Sequence, residues 1–273
     1  MHVVGTLEER FGAPAAGYAG HAEGLRSATI VDAAQSSQHM VMTVHELEPG
    51  GRIDQHRHAF EEAVYVLGGS VVADDRELGA DEYALFVPGR VHGFENRSDA
   101  PARWLELQAP QPNPDAEVDT DFGGGEADGE LPVGRFDVSQ LPEPSGVLGL
   151  AGFGTSNVGG ASLKMLVDTS FGATLLNMFV VQYAPGGEIK EHDHPFEEGF
   201  VFVSGEITAT LDGREYTLRA GDYCWSGVRS MHALVNRTDA PVRWVETQAP
   251  QPPAQHAARF RADWQRLTAD SGS

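Results

Sequence analysis

The chain has one cysteine, Cys224, in 273 residues. A single thiol cannot close an intramolecular disulfide, and a thiolate metal cage is excluded with it. Positive charge is also scarce. Lysine and arginine total 19 against 40 aspartates and glutamates, a formal net charge of −21. Such a surface repels phosphate backbones and anionic lipid, so neither nucleic acid nor a membrane is an expected partner. No apolar run approaches the ~20 residues that span a bilayer. The opening MHVVGTLEERFGAP lacks the basic start and apolar stretch of a signal peptide. The cytoplasm is the expected location.

What is plentiful is turn chemistry. There are 32 glycines and 16 prolines, which favours many short strands over long helices. Hydrophobic residues at 41% and charged residues at 22% suit a globular chain. The length fits one large domain or two ordinary ones.

An internal repeat decides between these. HRHAFEE (56–62) returns as HDHPFEE (192–198), and EPGGRI (48–53) returns as APGGEI (184–189) at the same offset. Further on, ENRSDAPARWLELQAPQP (95–112) matches VNRTDAPVRWVETQAPQP (235–252). The second copy is slightly longer between these blocks, around LDGREYTLRAGD (211–222), where Asp212-Gly213 is a hairpin signal. Segments such as LNMFVVQYAPGG and FVFVSGEITATL alternate or run β-branched and aromatic between turn residues, so each copy reads as β-structure. The expected organisation is an N-terminal domain over 1–115, an acidic glycine-rich linker over 116–130 and a C-terminal domain over 131–273. In the tail, Ala258, Phe260, Trp264 and Leu267 stand at near-helical spacing, which predicts a helix over 254–267.

Histidine and glutamate are not packing residues, so their repetition asks for a chemical reason. His56 and His58 are two apart on a predicted strand, which puts both imidazoles on one face. Glu62 follows, and His92 comes later in the copy. His192, His194, Glu198 and His232 repeat the set. A lone HxH is ordinary surface; a complete four-residue set standing twice is a metal-ligand pattern. Of the other histidines, His2, His21, His39, His45 and His256 carry no such pattern.

On these residues the chain resembles a bicupin, two cupin domains in tandem. The first cupin motif, G-x5-H-x-H-x3-E-x6-G, stands complete as Gly50, His56, His58, Glu62, Gly69 and as Gly186, His192, His194, Glu198, Gly205. The second motif is partial. Gly221, His232 and Asn236 match, with Gly227 and Arg229 at its proline and glycine places. In the other copy Gly89, His92 and Asn96 match, with Asp81 and Val87 at its glycine and proline places. The resemblance implies an all-β protein of two tandem double-stranded β-helix (jelly-roll) barrels, each with a metal inside.

Three histidines and a carboxylate leave coordination positions open for water, O₂ or a chelating substrate. One divalent metal per barrel is expected, Mn(II) or Fe(II) first, with Ni, Co, Cu or Zn also suited to the ligands. If Glu198 faces inward, Phe200 and Phe202 do too, and in the first copy Val64 and Val66. Glu106 and Glu246, two residues after Trp104 and Trp244, are candidate acid–base residues. Glu61 and Glu197 neighbour the ligand glutamates and point the other way. Arg90 and Arg229, near the third histidines, are candidates to hold a substrate carboxylate. Resemblance to quercetinase-like dioxygenases and oxalate decarboxylases, at motif level, implies an O₂-dependent enzyme on a small oxygenated organic substrate. Non-redox hydrolysis, isomerisation or cyclisation is the alternative, and a non-catalytic binding module the third. The resemblance also implies a homodimer, because cupins commonly pair by barrel edges.

Overall fold

The computed structural model describes residues 1–113, 119–127, 129–144, 157–251 and 258–261. The first copy runs through β1 (His2–Thr6), β2 (Ala22–Val31), β3 (Val41–His58), β4 (Glu61–Gly68), β5 (Ser70–Ala73), β6 (Arg76–Gly79), β7 (Glu82–Phe86), β8 (His92–Glu95) and β9 (Ala102–Ala109). Two short strands follow, β10 (Thr120–Asp121) and β11 (Val133–Arg135). The second copy runs through β12 (Val158–Val167), β13 (Asn177–Asp193), β14 (Glu197–Ser204), β15 (Glu206–Leu211), β16 (Arg214–Arg219), β17 (Asp222–Ser226), β18 (His232–Val235), β19 (Val242–Ala249) and β20 (Arg259–Phe260).

These strands curl into two antiparallel sheets that close as two barrels. One sheet has the order β11-β7-β4-β9-β3-β8-β5-β6, with β2 and β10 also on β3. The other has the order β1-β17-β14-β19-β13-β18-β15-β16, with β12 and β20 on β13. The repeat in sequence is thus a repeat in topology. Two edge strands complete it by exchange. β1 pairs with β17 in the second sheet and β11 pairs with β7 in the first, so each barrel takes an edge strand from outside its own copy.

Apolar residues fall into three clusters. One fills each barrel, around Trp104 and Phe86 in the first and Trp244 and Phe202 in the second. The third lies between the barrels. There Met42, Val44 and Leu107 of the first meet Met178, Val180 and Val245 of the second. This accounts for the near-continuous hydrophobic runs at the starts of β3 and β13, which are covered on both faces. Two buried carboxylates cross the same interface. Glu61 accepts from Thr174 N at 2.7 Å and Leu175 N at 2.9 Å, and Glu197 accepts from Ser37 Oγ at 2.6 Å and Gln38 N at 2.7 Å.

Two expectations are corrected. Part of the linker is structured: Thr120 and Asp121 pair with His58 and Arg57, and Phe122 stacks on His21 with ring centroids 3.7 Å apart. A two-residue strand leaves no periodic signal, since its stability comes from the edge it joins. In the tail, Arg259 and Phe260 pair with Asp193 and His192 as a strand, so the helix expected from 254 does not include them; Arg261 is helical, and 254–257 and 262–267 of the expected span lie outside the described residues. Trp264 and Leu267 lie outside the described residues. The departures from the second cupin motif change side chains without changing the turns. Asp81 and Arg229 take the left-handed backbone at φ 66° and 65°, as Gly221 and Gly89 do at the matching places.

The inter-barrel packing yields a prediction at Gly199, which occupies the place of Ala63. A Cβ on Gly199 would stand 2.0 Å from Met42 Sδ and 2.9 Å from Thr247 Oγ1. Gly199→Ala is expected to destabilise the protein by about 1–3 kcal/mol through overpacking. Denaturant unfolding measures it, and unchanged stability would mean that the barrels are not packed in this way.

Candidate metal centres and cavity

The histidines reach the barrel interiors because of a bulge. On β3, Ile53 pairs with Phe94 but His56 pairs with His92, a shift in register. On β13, Ile189 pairs with Leu234 and His192 with His232, the same shift. Strict alternation would set Ile53 and His56 on opposite faces. The extra residue brings the imidazoles back to the inside. Glu62 and Glu198 enter from the starts of β4 and β14, and His92 and His232 open β8 and β18.

In the first barrel His56, His58, Glu62 and His92 are all buried, with one potential ligand atom from each lying within 4.8 Å of the others. Glu62 stands 3.2 Å from His58 Nε2 and 3.6 Å from His92 Nε2. Each ring turns its Nδ1 to a backbone carbonyl: His56 to Asp54 at 2.9 Å, His58 to Phe60 at 2.8 Å and His92 to Arg90 at 3.0 Å. Donation from Nδ1 leaves Nε2 as the inward ligand atom. The three Nε2 atoms and Glu62 Oε1 are buried without a hydrogen bond. Four such atoms converging on one point is costly unless a cation joins them, so these residues fit a divalent metal.

The second barrel repeats this with a difference. His192, His194 and His232 converge within 4.8 Å. Glu198 lies 3.2 Å from His194 Nε2 and 3.1 Å from His232 Nε2. Its other oxygen accepts from Gln248 Nε2 at 2.6 Å. The expected four-residue set is therefore present as three converging imidazoles with a carboxylate shared between them and Gln248.

The charges in the metal-free protein follow from burial and from these neighbours. Burial pushes the Glu62 carboxyl up, but His58 and His92 outweigh it and hold it well below the usual range. Burial, with His92 beside it, lowers His56 to about 4. His92 is raised because Glu62 overcomes the cost of its burial. Glu198, His192 and His232 shift in the same directions as Glu62, His56 and His92.

The barrels differ most in the space beside the ligands. The first holds a cavity of about 250 Å³ lined by His56, His58, Glu106 and Tyr18 among others. In the second, the space beside His192, His194 and Glu246 is about 40 Å³, room for little more than water. Two exchanges between the copies account for this. Thr43 stands where Phe179 stands, and Val64 where Phe200 stands; Phe179 and Phe200 both line the smaller space.

The candidate acids diverge in the same way. Glu106 is buried and faces the cavity, accepting from Tyr18 Oη at 3.1 Å and Gln108 Nε2 at 2.9 Å. His45 Nε2 lies 3.3 Å from it, and His45 Nδ1 lies 2.9 Å from Ser27 Oγ. Glu246 accepts instead from Trp244 Nε1 at 2.9 Å, and burial followed by repulsion from Glu198 raises its carboxyl well above the usual range.

Other expected residues fall elsewhere. Phe200 lines the second space, while Phe202 packs on Trp244 with centroids 5.7 Å apart. Val64 and Val66 are buried in the first barrel's core. Arg90 pairs with Asp74 and also donates to Gly129 O at 3.3 Å, so a protein carboxylate already occupies it. Arg229 is exposed on its left-handed turn and is not among the residues around the second space. Tyr18, His45, Gln108 and Gln248 went unread in the sequence. Gln108 and Gln248 share one place in the repeat and the strand parity of Glu106 and Glu246, a signal that was available. Tyr18 lies outside the repeat, and the first copy's His45 is a valine, Val181, in the second.

The cupin-domain family matches the chain twice, over 43–107 and 179–247. The chain belongs to the cupin family. As a bicupin it is similar in sequence to SchB of Streptomyces halstedii, 34% identical over 96 residues, which are 35% of this chain and 70% of SchB. It is also similar to the tetracenomycin polyketide synthase protein TcmJ of Streptomyces glaucescens, 28% identical over 96 residues. That match spans 35% of this chain and 64% of TcmJ. Among solved structures it resembles oxalate decarboxylase of Lactobacillus farciminis, with a TM-score of 0.63 at 14% identity over 98% of this chain and 92% of that one. At that identity the likeness is one of fold.

The charge pattern predicts how metal uptake depends on pH. Because Glu62 raises the pKa of His92 despite its burial, its proton is held to higher pH than on a free imidazole and must leave for Nε2 to ligate. Affinity for Mn(II) is expected to rise from about pH 6 to about pH 8, with proton release on binding. Calorimetry in buffers of different ionisation enthalpy measures both. A flat affinity with no proton release would contradict the assignment.

Proposed function

We propose that the first barrel is the working site of a metal-dependent enzyme acting on a small oxygenated organic substrate of polyketide type, a phenol or β-dicarbonyl. The observation that carries this reading is Glu106. It is a buried carboxylate at the wall of the larger of the two cavities that the described residues form beside the histidine sets, and His56 and His58 line that cavity with it. The substrate class is supported by the similarity to TcmJ, whose name places it with a polyketide synthase.

His56, His58, Glu62 and His92 would hold the metal, which when bound supplies a Lewis acid for a substrate oxygen. The chain's own residues do the rest. Tyr18, whose hydroxyl is kept protonated by burial and by the negative charge of Glu106 and Glu62, donates to Glu106 and fixes its direction. Gln108 donates to the same carboxylate. Glu106 thus faces the cavity ready to take a proton from carbon or oxygen of a substrate held there. His45, between Ser27 and Glu106, provides a route for that proton to leave. The apolar part of the wall, with Ala15, Ala33 and Val41, admits a flat ring system and limits water.

Oxygen-dependent cleavage is the second reading. It is favoured by the ligand set, since three histidines and a carboxylate leave positions open for O₂ beside the substrate. The second barrel, with its small space, would serve support rather than turnover.

Glu106→Gln is expected to lower kcat/KM by about 10²–10⁴-fold while metal content stays unchanged. Glu246→Gln is expected to change it by less than about threefold. Assays use a panel of β-diketones and hydroxylated naphthalenes, with and without O₂. Equal losses in the two variants, or none in Glu106→Gln, would sink the assignment. Turnover only with oxygen uptake would select the second reading.

A further inference from the structure

The loop between β2 and β3, residues 32–40, serves two sites at once. Its first part walls the first barrel's cavity: Asp32, Ala33 and Ala34 all line it, as does Val41 just beyond. Its last part holds a carboxylate of the other barrel. Ser37 Oγ donates to Glu197 Oε2 at 2.6 Å, Gln38 N to Oε1 at 2.7 Å and His39 N to Oε2 at 3.4 Å. Glu197 is buried, and the next residue along β14 is Glu198 of the second histidine set.

The loop is built to pass a displacement from one end to the other. Asp32 accepts from Ala34 N at 2.7 Å, and Gln35 Oε1 accepts from Asp32 N at 3.1 Å. Ser36 takes the left-handed backbone at φ 67°, and Ser37 N donates to Asp32 O at 3.1 Å. Residues 32–37 therefore form one hydrogen-bonded turn, held on the far side where Ser37, Gln38 and His39 meet Glu197 and where Ser37 Oγ meets Met40 O at 2.6 Å. The mirror arrangement lacks the first half of this device. Glu61 grips Thr174 and Leu175, but no residue of 168–176 lines the second barrel's space.

We propose that Glu197 is a positioning residue for the first barrel's cavity: by clamping residues 37–39 it fixes the wall at 32–34, so the second barrel is the rigid support of the first barrel's binding site. The ligand-binding part of this rests on the function proposed above. The clamp itself does not. Three donors converge on one carboxylate here, and an amide in its place presents an NH₂ to donors and cannot accept from all three.

The test is Glu197→Gln in the full chain, with hydrogen exchange as its first readout. The informative amides are Ala34, Gln35 and Ser36, none of which touches Glu197. They are expected to exchange at least about tenfold faster, while β9 is unchanged. Glu61→Gln loosens the same interface from the other side and is expected to leave these amides as they are. The second readout is calorimetric binding of 1,3-dihydroxynaphthalene to the metal-loaded protein, expected to weaken about 5–10-fold with the first centre's metal content preserved. Unchanged exchange at 34–36 in Glu197→Gln, or equal acceleration in both variants, would overturn the proposal. If Glu197→Gln does not fold, Ser37→Ala removes one donor from the other side and is read in the same way. If the wild-type protein does not bind the naphthalene, the substrate class proposed above fails, and the exchange measurement still decides the clamp.

Discussion

An ionised carboxylate cannot lie alone inside a β-barrel, and each half of this chain places one there. Leaving it unpaired would cost several kcal/mol, so charged or hydrogen-bonding partners must be gathered around it. In the first barrel those partners are His58 and His92, with His56 facing the same point. The rest of the barrel interior follows from this need. The bulges on β3 and β13 exist to turn histidines inward, and the backbone carbonyls of Asp54, Phe60 and Arg90 fix which ring nitrogen faces the centre. The arrangement fits a divalent metal, which the first barrel's three Nε2 atoms, buried without a hydrogen bond, are placed to hold.

The two copies then part company through a handful of side chains. Phe179 and Phe200 close the second barrel where Thr43 and Val64 leave the first open. Tyr18, brought in from a segment outside the sequence repeat, turns Glu106 toward the open space. Glu246 instead accepts from Trp244, and burial with Glu198 nearby raises its carboxyl well above the usual range. Duplication supplied one frame twice, and small changes in volume and hydrogen bonding left a roomy cavity in one copy and a space for little more than water in the other. The buried carboxylates Glu61 and Glu197, each beside a histidine-set glutamate, join the copies across an apolar interface.

Much of this was legible in the sequence, because metal sites on strands demand particular residues at particular spacing. The repeat, the β class and the buried clustering of His56, His58, Glu62 and His92 and of His192, His194 and His232 follow from HRHAFEE and HDHPFEE with the two later histidines. The direction of Phe200 followed from strand parity. What was not legible depends on contacts between distant segments. Tyr18 comes from outside the repeat. The exchange of β1 and β11 leaves no local mark, since an edge strand reads alike whichever sheet it joins. Phe260 fitted a helical period by chance over a short window, and pairing with β13 overrides it. Arg90 and Arg229 meet the histidine residues through backbone alone: His92 Nδ1 donates to Arg90 O and Arg229 N donates to His194 O, both at 3.0 Å. One is taken by Asp74 and the other points away on a turn.

On the function proposed above, two metal centres stand beside one organic-ligand site. The measurement that addresses it most directly is a crystal structure of the Mn(II)-loaded protein with 1,3-dihydroxynaphthalene, with anomalous scattering used to place the metal. The account predicts anomalous peaks among the histidines of both barrels, and the naphthalene in the first cavity alone, against Glu106. Naphthalene bound beside His192 and His194, or a first barrel without metal, would contradict it.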